Sequence, residues 1–157
     1  MRRDRPLADV LLVLVVLALA SAPLAAASAP KQFTPSVLAG TWSGTWTNQT
    51  LGTTGSFVLR IRPDGRLLRI TTSLDGCTQS FAPRWTPIGF TIASATAHLT
   101  YSYPSGSLSG SGGPPACASG GSWQLDGMFT ARQFSATVYL AVPEGGSTTT
   151  VVTLARK

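Results

Sequence analysis

The chain has 157 residues, a net charge of +6 at pH 7 and only 11% charged residues. A length of this order fits one ordinary domain, so no second domain is expected within these residues. Because charged side chains are few while Ser, Thr and Gly are many, the solubilising surface must consist largely of hydroxyl groups. That composition is typical of β-strand surfaces in exported proteins.

The N-terminal segment has the three zones of a bacterial signal peptide. Residues 1–5 include three arginines, residues 10–20 form an unbroken apolar run, and residues 21–29 are mostly small. The run is too short for a stable membrane-spanning helix, although an uncleaved anchor helix is the alternative. We expect cleavage after Ala27 and a secreted or periplasmic protein, with a signal peptide over 1–27, a short linker over 28–36 and one domain over 37–157.

Alternating apolar and polar residues dominate the rest of the chain, and no long pattern of helical spacing occurs. In the first predicted strand, Trp42, Gly44 and Trp46 share one face, and hydroxyl residues occupy the other. The next two predicted strands flank Pro63-Asp64-Gly65, which has proline and glycine where a tight turn favours them. These two strands are predicted to form a β-hairpin.

Further strands are predicted on both sides of a long loop rich in Gly, Ser and Pro, which itself could contain a short strand around 107–110. They cover 81–85, 88–92, 98–103, 123–129, 134–142 and 148–156. We expect an all-β fold, an antiparallel up-and-down barrel of about eight strands, with a two-sheet β-sandwich as the alternative. The barrel is favoured because closure removes exposed strand edges, which this chain does little to protect.

The first strand also carries a family resemblance. The stretch Leu38-Ala39-Gly40-Thr41-Trp42-Ser43-Gly44-Thr45-Trp46 contains a doubled G-x-W motif and resembles the opening strand of lipocalin-type barrels. Residues 44–54, Asp64-Gly65 and 89–92 are similar to avidin segments, and avidins belong to the same broad calycin grouping. The resemblance implies a calycin-like barrel in which Arg156, near the end of the last strand, packs across Trp42.

A small ligand inside the barrel is what the calycin resemblance implies about function. Aromatic rings would supply contact area and Asn48 a polar contact, so the predicted ligand-binding residues are Trp46, Asn48, Phe57, Phe90, Tyr101 and Trp123. Biotin itself is not expected, because the sequence lacks the tyrosine and the last-strand aspartate of the avidin site.

The leading prediction is therefore an exported, non-enzymatic barrel that binds a small apolar or amphipathic ligand. The alternative is a solid-core β-domain that binds a protein or a cell-envelope polymer through its outer surface or its long loop. The first requires a partly open interior, whereas the second requires a filled one.

No residue pattern predicts catalysis, a metal site or a cofactor. His98 is the only histidine, and no serine stands in a nucleophile motif. Arg60, Arg62 and Arg69 form a basic stripe on one outer face, but the aromatic residues are predicted on the opposite face, which argues against specific nucleic-acid binding. The stripe is expected to keep the barrel soluble or to touch an anionic cell envelope.

Cys77 and Cys117 are the only cysteines, and both follow the predicted cleavage site. An oxidising compartment favours a disulfide between them, which would tether the long loop and contribute roughly 3–4 kcal/mol through loop-closure entropy. A count of thiols after denaturation without reductant tests this prediction. We expect no thiol to react, and two reactive thiols per chain would refute the bridge.

Overall fold

The computed structural model describes residues 28–114, 121–141 and 145–157. The predicted signal peptide, Cys117 and part of the long loop lie outside the described residues, so cleavage, export and the disulfide stay predictions. The compact domain begins at Lys31, earlier than the predicted boundary at residue 37. The predicted linker contains Phe33, which is 1% exposed and whose amide donates to the carbonyl oxygen of Pro87 at 2.7 Å. An apolar ring held in this way belongs to the core rather than to a linker.

In the described part of the chain, eleven antiparallel strands form one curled sheet, a half-barrel. Their bounds are β1 (Gly40–Asn48), β2 (Thr54–Asp64), β3 (Leu67–Leu74), β4 (Cys77–Phe81), β5 (Trp85–Thr86), β6 (Gly89–Ala93), β7 (His98–Ser102), β8 (Ser107–Gly112), β9 (Trp123–Phe129), β10 (Gln133–Ala141) and β11 (Ser147–Arg156). A short 3-10 helix, Pro35–Val37, precedes β1. Nowhere in the described part of the chain does a helix have the length and apolar character needed to cross a membrane.

The order of strands across the sheet is β4-β3-β2-β1-β11-β10-β9-β8-β7-β6-β5. The all-β antiparallel class is confirmed, and the two-sheet sandwich is wrong because every strand belongs to one sheet. The predicted hairpin at Pro63-Asp64-Gly65 is confirmed, since Asp64 pairs with Leu67 across the turn.

The predicted count of about eight strands is too low. A turn at Asp75-Gly76 separates β3 from β4, and Asp75 takes a φ of 47°, a left-handed conformation that aspartate tolerates better than most residues. The segment predicted as one strand over 81–85 is divided between the end of β4 and the two-residue strand β5. The short strand expected around 107–110 is β8.

Successive strands run in opposite directions, so the sheet has two distinct ends. At one end the segment between β4 and β5 continues the β3–β4 ladder. The Leu68 amide donates to the carbonyl oxygen of Pro83 at 2.9 Å, and the Trp85 amide donates to that of Arg66 at 3.2 Å. Because β5 also pairs with β6, these bonds link the two edges of the curled sheet. We call this end of the sheet the closed end. It includes the β2–β3 turn and both ends of the domain. The opposite end of the sheet is the open end.

Large apolar side chains fill the inner face near the closed end. Trp42, Leu68 and Leu154 are all 0% exposed. The Phe129 ring packs edge-on against Trp42 at 5.1 Å between ring centres and stacks on Phe134 at 4.3 Å. Burial of side chains of this size contributes about 1.5–3 kcal/mol each. The closed end is therefore a solid core.

Arg156 ties the last strand to the segment that precedes the first. Its guanidinium lies 5.3 Å from the centre of the Trp42 ring, and the Trp42 Nε1 donates to the carbonyl oxygen of Leu38 at 2.9 Å. The same guanidinium donates to three carbonyl oxygens, those of Ser36 at 3.1 Å, Val37 at 3.0 Å and Ala39. A planar cation with a fork of donors can satisfy several carbonyls at once. Arg156 thereby covers the base of the core.

Replacement of Arg156 by alanine tests this arrangement. Loss of the cation–π contact and of three charge-assisted hydrogen bonds should lower the free energy of unfolding by about 2–4 kcal/mol, as measured by urea denaturation. Arg156→Lys retains the charge without the fork and should fall between wild type and alanine. The exposed Arg132 is the matched control, and Arg132→Ala should change stability by less than about 0.5 kcal/mol. Equal effects of the two alanine variants would contradict the assigned role.

Tyr101 should make the domain sensitive to alkaline pH. Burial raises the pKa of Tyr101 above its usual value, and the neighbouring Tyr103 raises it further. As the pH rises above about 10, the unfolded chain loses the Tyr101 proton before the folded chain does, so stability falls with pH in this range. Urea midpoints measured at pH 8 and pH 11 should differ less in Tyr101→Phe than in wild type. An unchanged difference would show that other groups cause the loss.

Candidate functional site

The six predicted ligand-binding residues lie at two different levels of the inner face. Phe90 and Tyr101 lie toward the closed end, where both are buried and stack with ring centres 5.3 Å apart. Phe33 contacts both rings, at 6.3 Å from Phe90 and 5.4 Å from Tyr101. These two rings are therefore enclosed by other protein groups. Trp46, Phe57 and Trp123 lie near the open end, and each is only partly buried.

Asn48 lies at the rim of the open end, and its side chain is engaged in the β1–β2 turn. Its Oδ1 accepts hydrogen bonds from the Thr50 amide at 3.0 Å and from the Leu51 amide at 2.9 Å. Aspartate and asparagine commonly stabilise turns in this way. The oxygen that was predicted to contact a ligand thus already has two donors, which explains why Asn48 is 7% exposed.

A row of paired residues crosses the inner face at the open end. Thr150 pairs with Val138, Val138 with Leu125, and Leu125 with Gly110. All four are partly buried, in contrast to Leu154 deeper in the sheet. Because Gly110 has no side chain, the inner face of the sheet is recessed beside Leu125.

We call the apolar part of this surface the open-end cleft. It consists of side chains that lie on the inner face and are partly or largely exposed: Trp46, Phe57, Leu74, Trp123, Leu125 and Val138. Leu74 is the most exposed of them, at 40%, and pairs with Phe57 across the β2–β3 ladder. The cleft extends across six strands that are neighbours in the sheet, in the order β3, β2, β1, β11, β10 and β9. Strand β11 contributes Thr150.

The two tryptophans of the cleft are held against the wall of the sheet. Trp123 Nε1 donates to the carbonyl oxygen of Gly113 at 2.8 Å, and a Cβ atom at Gly112 would lie 2.4 Å from the Trp123 ring. Trp46 Nε1 donates to Asp75 Oδ2 at 2.8 Å. In both cases the residue paired with the tryptophan on the neighbouring strand is a glycine, Gly112 or Gly55. Each ring therefore lies against the adjacent strand, which is possible because no side chain occupies that place.

The curled sheet has a gap in its side toward the open end. Strands β5 and β6 share only two residue pairs, Trp85 with Phe90 and Thr86 with Gly89. Among the described residues, no ladder joins β4 to the remainder of β6. The inner-face residues of β6 beside this gap, Phe90 and Ile92, are nevertheless each only 6% exposed, so the inner face is covered there.

Thr148 provides a polar group beside the cleft. It is 8% exposed, and its Oγ1 has no hydrogen-bond partner among the described residues. It pairs with Leu140 across the β10–β11 ladder, one inner-face position beyond Thr150. A buried hydroxyl without a partner costs about 1–3 kcal/mol, so a polar atom placed beside it would be stabilising.

Sequence reasoning missed the aliphatic members of the cleft, Leu74, Leu125 and Val138. Each stands at an inward-facing position of its strand. The alternation of inward and outward side chains was the signal from which these residues could have been predicted. Asp75 lies in the turn between β3 and β4, and its bond to Trp46 joins positions 29 residues apart. No local pattern predicts such a contact.

Among the described residues, no catalytic arrangement of side chains accompanies the cleft. His98 is exposed and pairs with Ser111. Asp126 lies on the outer face in a pocket of about 350 Å³ that also includes Ser135 and Thr137, with no histidine among its lining residues. Within the described ranges, no group of three or more His, Cys, Asp or Glu residues could hold a metal ion.

Comparison with known proteins identifies the fold and assigns no activity. No protein-family model matches the sequence, and no curated protein matches it either. The fold is similar to the crystal structure of a protein with unknown function from the DUF3598 family of Nostoc punctiforme PCC 73102, with a TM-score of 0.59 and 14% sequence identity. The match covers 80% of this chain and 50% of that one, so this chain spans about half the length of its structural neighbour. The likeness establishes a barrel-like antiparallel β-fold.

Proposed function

We propose that this protein binds a small apolar or amphipathic ligand in the open-end cleft and performs no chemistry on it. The observation that carries the proposal is the contrast between the two ends of one inner face. At the closed end Trp42 and Leu154 are 0% exposed, whereas at the open end Leu74, Trp46 and Trp123 keep part of their apolar surface exposed. Apolar side chains left accessible on a concave surface are typical of ligand sites.

The cleft is well suited to bind without large entropic cost. Trp46 and Trp123 are each fixed by a hydrogen bond from Nε1 and by a paired glycine. Side chains that are ordered before binding lose little rotamer freedom when a ligand arrives. Their rings offer broad apolar contact area, as aromatic residues commonly do in binding sites.

The ligand class follows from the chemistry around the cleft. Leu125 and Val138 extend the apolar surface, while Thr150 and Thr148, whose hydroxyl has no hydrogen-bond partner among the described residues, lie on its rim. An apolar body with one polar group would satisfy both kinds of surface. This composition favours a single small amphipathic molecule over an extended polar polymer.

We place this binding outside the cytoplasm, in a secreted or periplasmic protein. The support is the arrangement of the N-terminal sequence into basic, apolar and small-residue zones. The two cysteines after the predicted cleavage site agree with an oxidising compartment. A role in carrying or sequestering a ligand in that compartment needs no cofactor.

Filling the cleft tests the proposal. Val138→Trp places a bulky ring on the inner face, and the adjacent Tyr139→Trp places the same ring on the outer face of the same strand, where Tyr139 is 48% exposed. The probe is N-phenyl-1-naphthylamine, an apolar dye whose fluorescence rises on binding. We expect Val138→Trp to weaken binding of the dye at least roughly tenfold, a change of about 1.4 kcal/mol, and Tyr139→Trp to leave it unchanged.

Equal dye binding by both variants, with folding verified by circular dichroism, would refute the open-end cleft as the site. Native mass spectrometry of protein recovered from its own host gives a second measurement. We expect a small molecule to accompany the wild-type chain and to be reduced in Val138→Trp. Recovery of wild type without any such molecule, together with no dye response, would refute ligand carriage.

A further inference from the structure

The positive charges of the domain are concentrated at one end of the fold. All nine Lys and Arg residues of 31–157 lie in the half of the sheet nearer the closed end, as the strand directions and pairings place them. Of the three side-chain carboxylates in the described residues, only Asp64 lies in that half. Asp75 is at the open end, and Asp126 is near the middle of β9. The closed end is thus strongly cationic, whereas the open end carries no described cation.

Because of the strand order, most of these cations follow one another along the rim of the sheet at the closed end. Arg132 precedes β10, and Lys157 follows β11, where its amide bonds to the carbonyl oxygen of Thr41 at 2.9 Å. Thr41 in turn pairs with Arg60 on β2. Residues separated by almost a hundred positions in the sequence thereby become neighbours.

The arc continues along the hairpin and ends at the link between β4 and β5. Arg62 pairs with Arg69, Arg66 occupies the turn, and Arg84 bridges to Leu67. We call the exposed cations of this rim the basic arc: Arg60, Arg62, Arg66, Arg69, Arg84, Arg132 and Lys157.

Most of the basic arc has no charge partner among the described residues. The ion pair found among the described residues joins Arg69 Nε to Asp64 Oδ2 at 2.8 Å, between side chains that are 65% and 51% exposed. Arg62 and Arg69 stand directly opposite one another in the ladder, and like charges in that position are destabilising. Arg60, Arg62 and Arg69 also line, together with Asp64, an outer groove of about 560 Å³. An anionic partner would relieve the repulsion and enter the groove.

One further feature of the same end indicates a membrane surface as that partner. Ile88, in the β5–β6 turn, is 75% exposed, and an exposed apolar side chain at the same end of the fold as a group of cations is suited to the headgroup region of a bilayer. A soluble anionic polymer would make no use of this side chain.

We propose that the basic arc docks the domain on a bilayer that contains anionic phospholipid headgroups. Guanidinium forks match phosphate oxygens, and clusters of basic residues bind anionic bilayers through electrostatic attraction that salt screens. In this orientation the closed end faces the membrane and the open end faces away from it. Docking involves a different surface from the open-end cleft, and it does not depend on ligand binding there.

Vesicle cosedimentation tests the proposal with the chain recovered after processing of its own leader. Vesicles of phosphatidylcholine alone are compared with vesicles that also contain phosphatidylglycerol. The neutral vesicles are the control, because binding to them would reveal attachment through apolar residues before Lys31. We expect the protein to partition onto the anionic vesicles and to be released at high salt.

A matched pair of triple variants assigns the surface. Arg62→Gln, Arg66→Gln and Arg84→Gln together remove three positive charges from the basic arc. Gln49→Glu, Thr53→Glu and Ser122→Glu together lower the net charge by the same amount at the open end, and all six positions are exposed. Since each basic residue near an anionic bilayer contributes about fivefold to partitioning, the arc variant should bind roughly 100-fold more weakly. The open-end variant should stay within about twofold of wild type.

Equal losses in the two triple variants would show that net charge, and not the basic arc, drives partitioning, and would overturn the proposal. Equal partitioning of wild type onto neutral and anionic vesicles would also overturn it. A third arm offers immobilised polyphosphate. Retention on polyphosphate with no partitioning onto anionic vesicles would replace the membrane by a soluble polymer, which contradicts the proposal as stated.

Discussion

The contact between the guanidinium of Arg156 and the ring of Trp42 is the interaction on which the closed end depends. It joins the last strand to the first, and the same cation satisfies the carbonyl groups of residues 36, 37 and 39. Because those carbonyls bring the chain across the base of the sheet, Phe33 and Leu38 can enter the core and complete it. One polar group thus closes an apolar core that the strands alone would leave open at this end.

Side-chain size distinguishes the two ends of the inner face. Near the closed end, inward positions carry bulky residues that meet in the interior, such as Phe129 against Trp42. Near the open end, several inward positions are glycines, and the rings of Trp46 and Trp123 lie against the wall in the places that side chains would otherwise occupy. The same period-two alternation therefore produces a packed core at one end and a partly exposed apolar surface at the other.

An antiparallel meander also separates charge without any local signal in the sequence. Each strand reverses direction, so residues near every second turn gather at one end of the sheet. Arg66, Arg84 and Arg132 come from three different turns or links, yet all lie at the closed end. The fold consequently has an apolar cleft at one end and a cationic rim at the opposite end. When the protein is held at one end, the surface at its other end stays accessible.

The all-β class, the hairpin at Pro63-Asp64-Gly65 and the shared face of Trp42 and Trp46 were predictable from the sequence alone, because alternation and turn chemistry act over a few residues. The sequence did not predict the number of strands, because the Asp75-Gly76 dipeptide indicates a turn without showing that a paired strand follows, and a two-residue strand leaves almost no pattern. Which predicted aromatic residues are enclosed, which keep exposed surface, and which cations meet at one rim became clear only from the three-dimensional fold. Those outcomes depend on strand order and register between distant positions, as the bond between Trp46 and Asp75 illustrates.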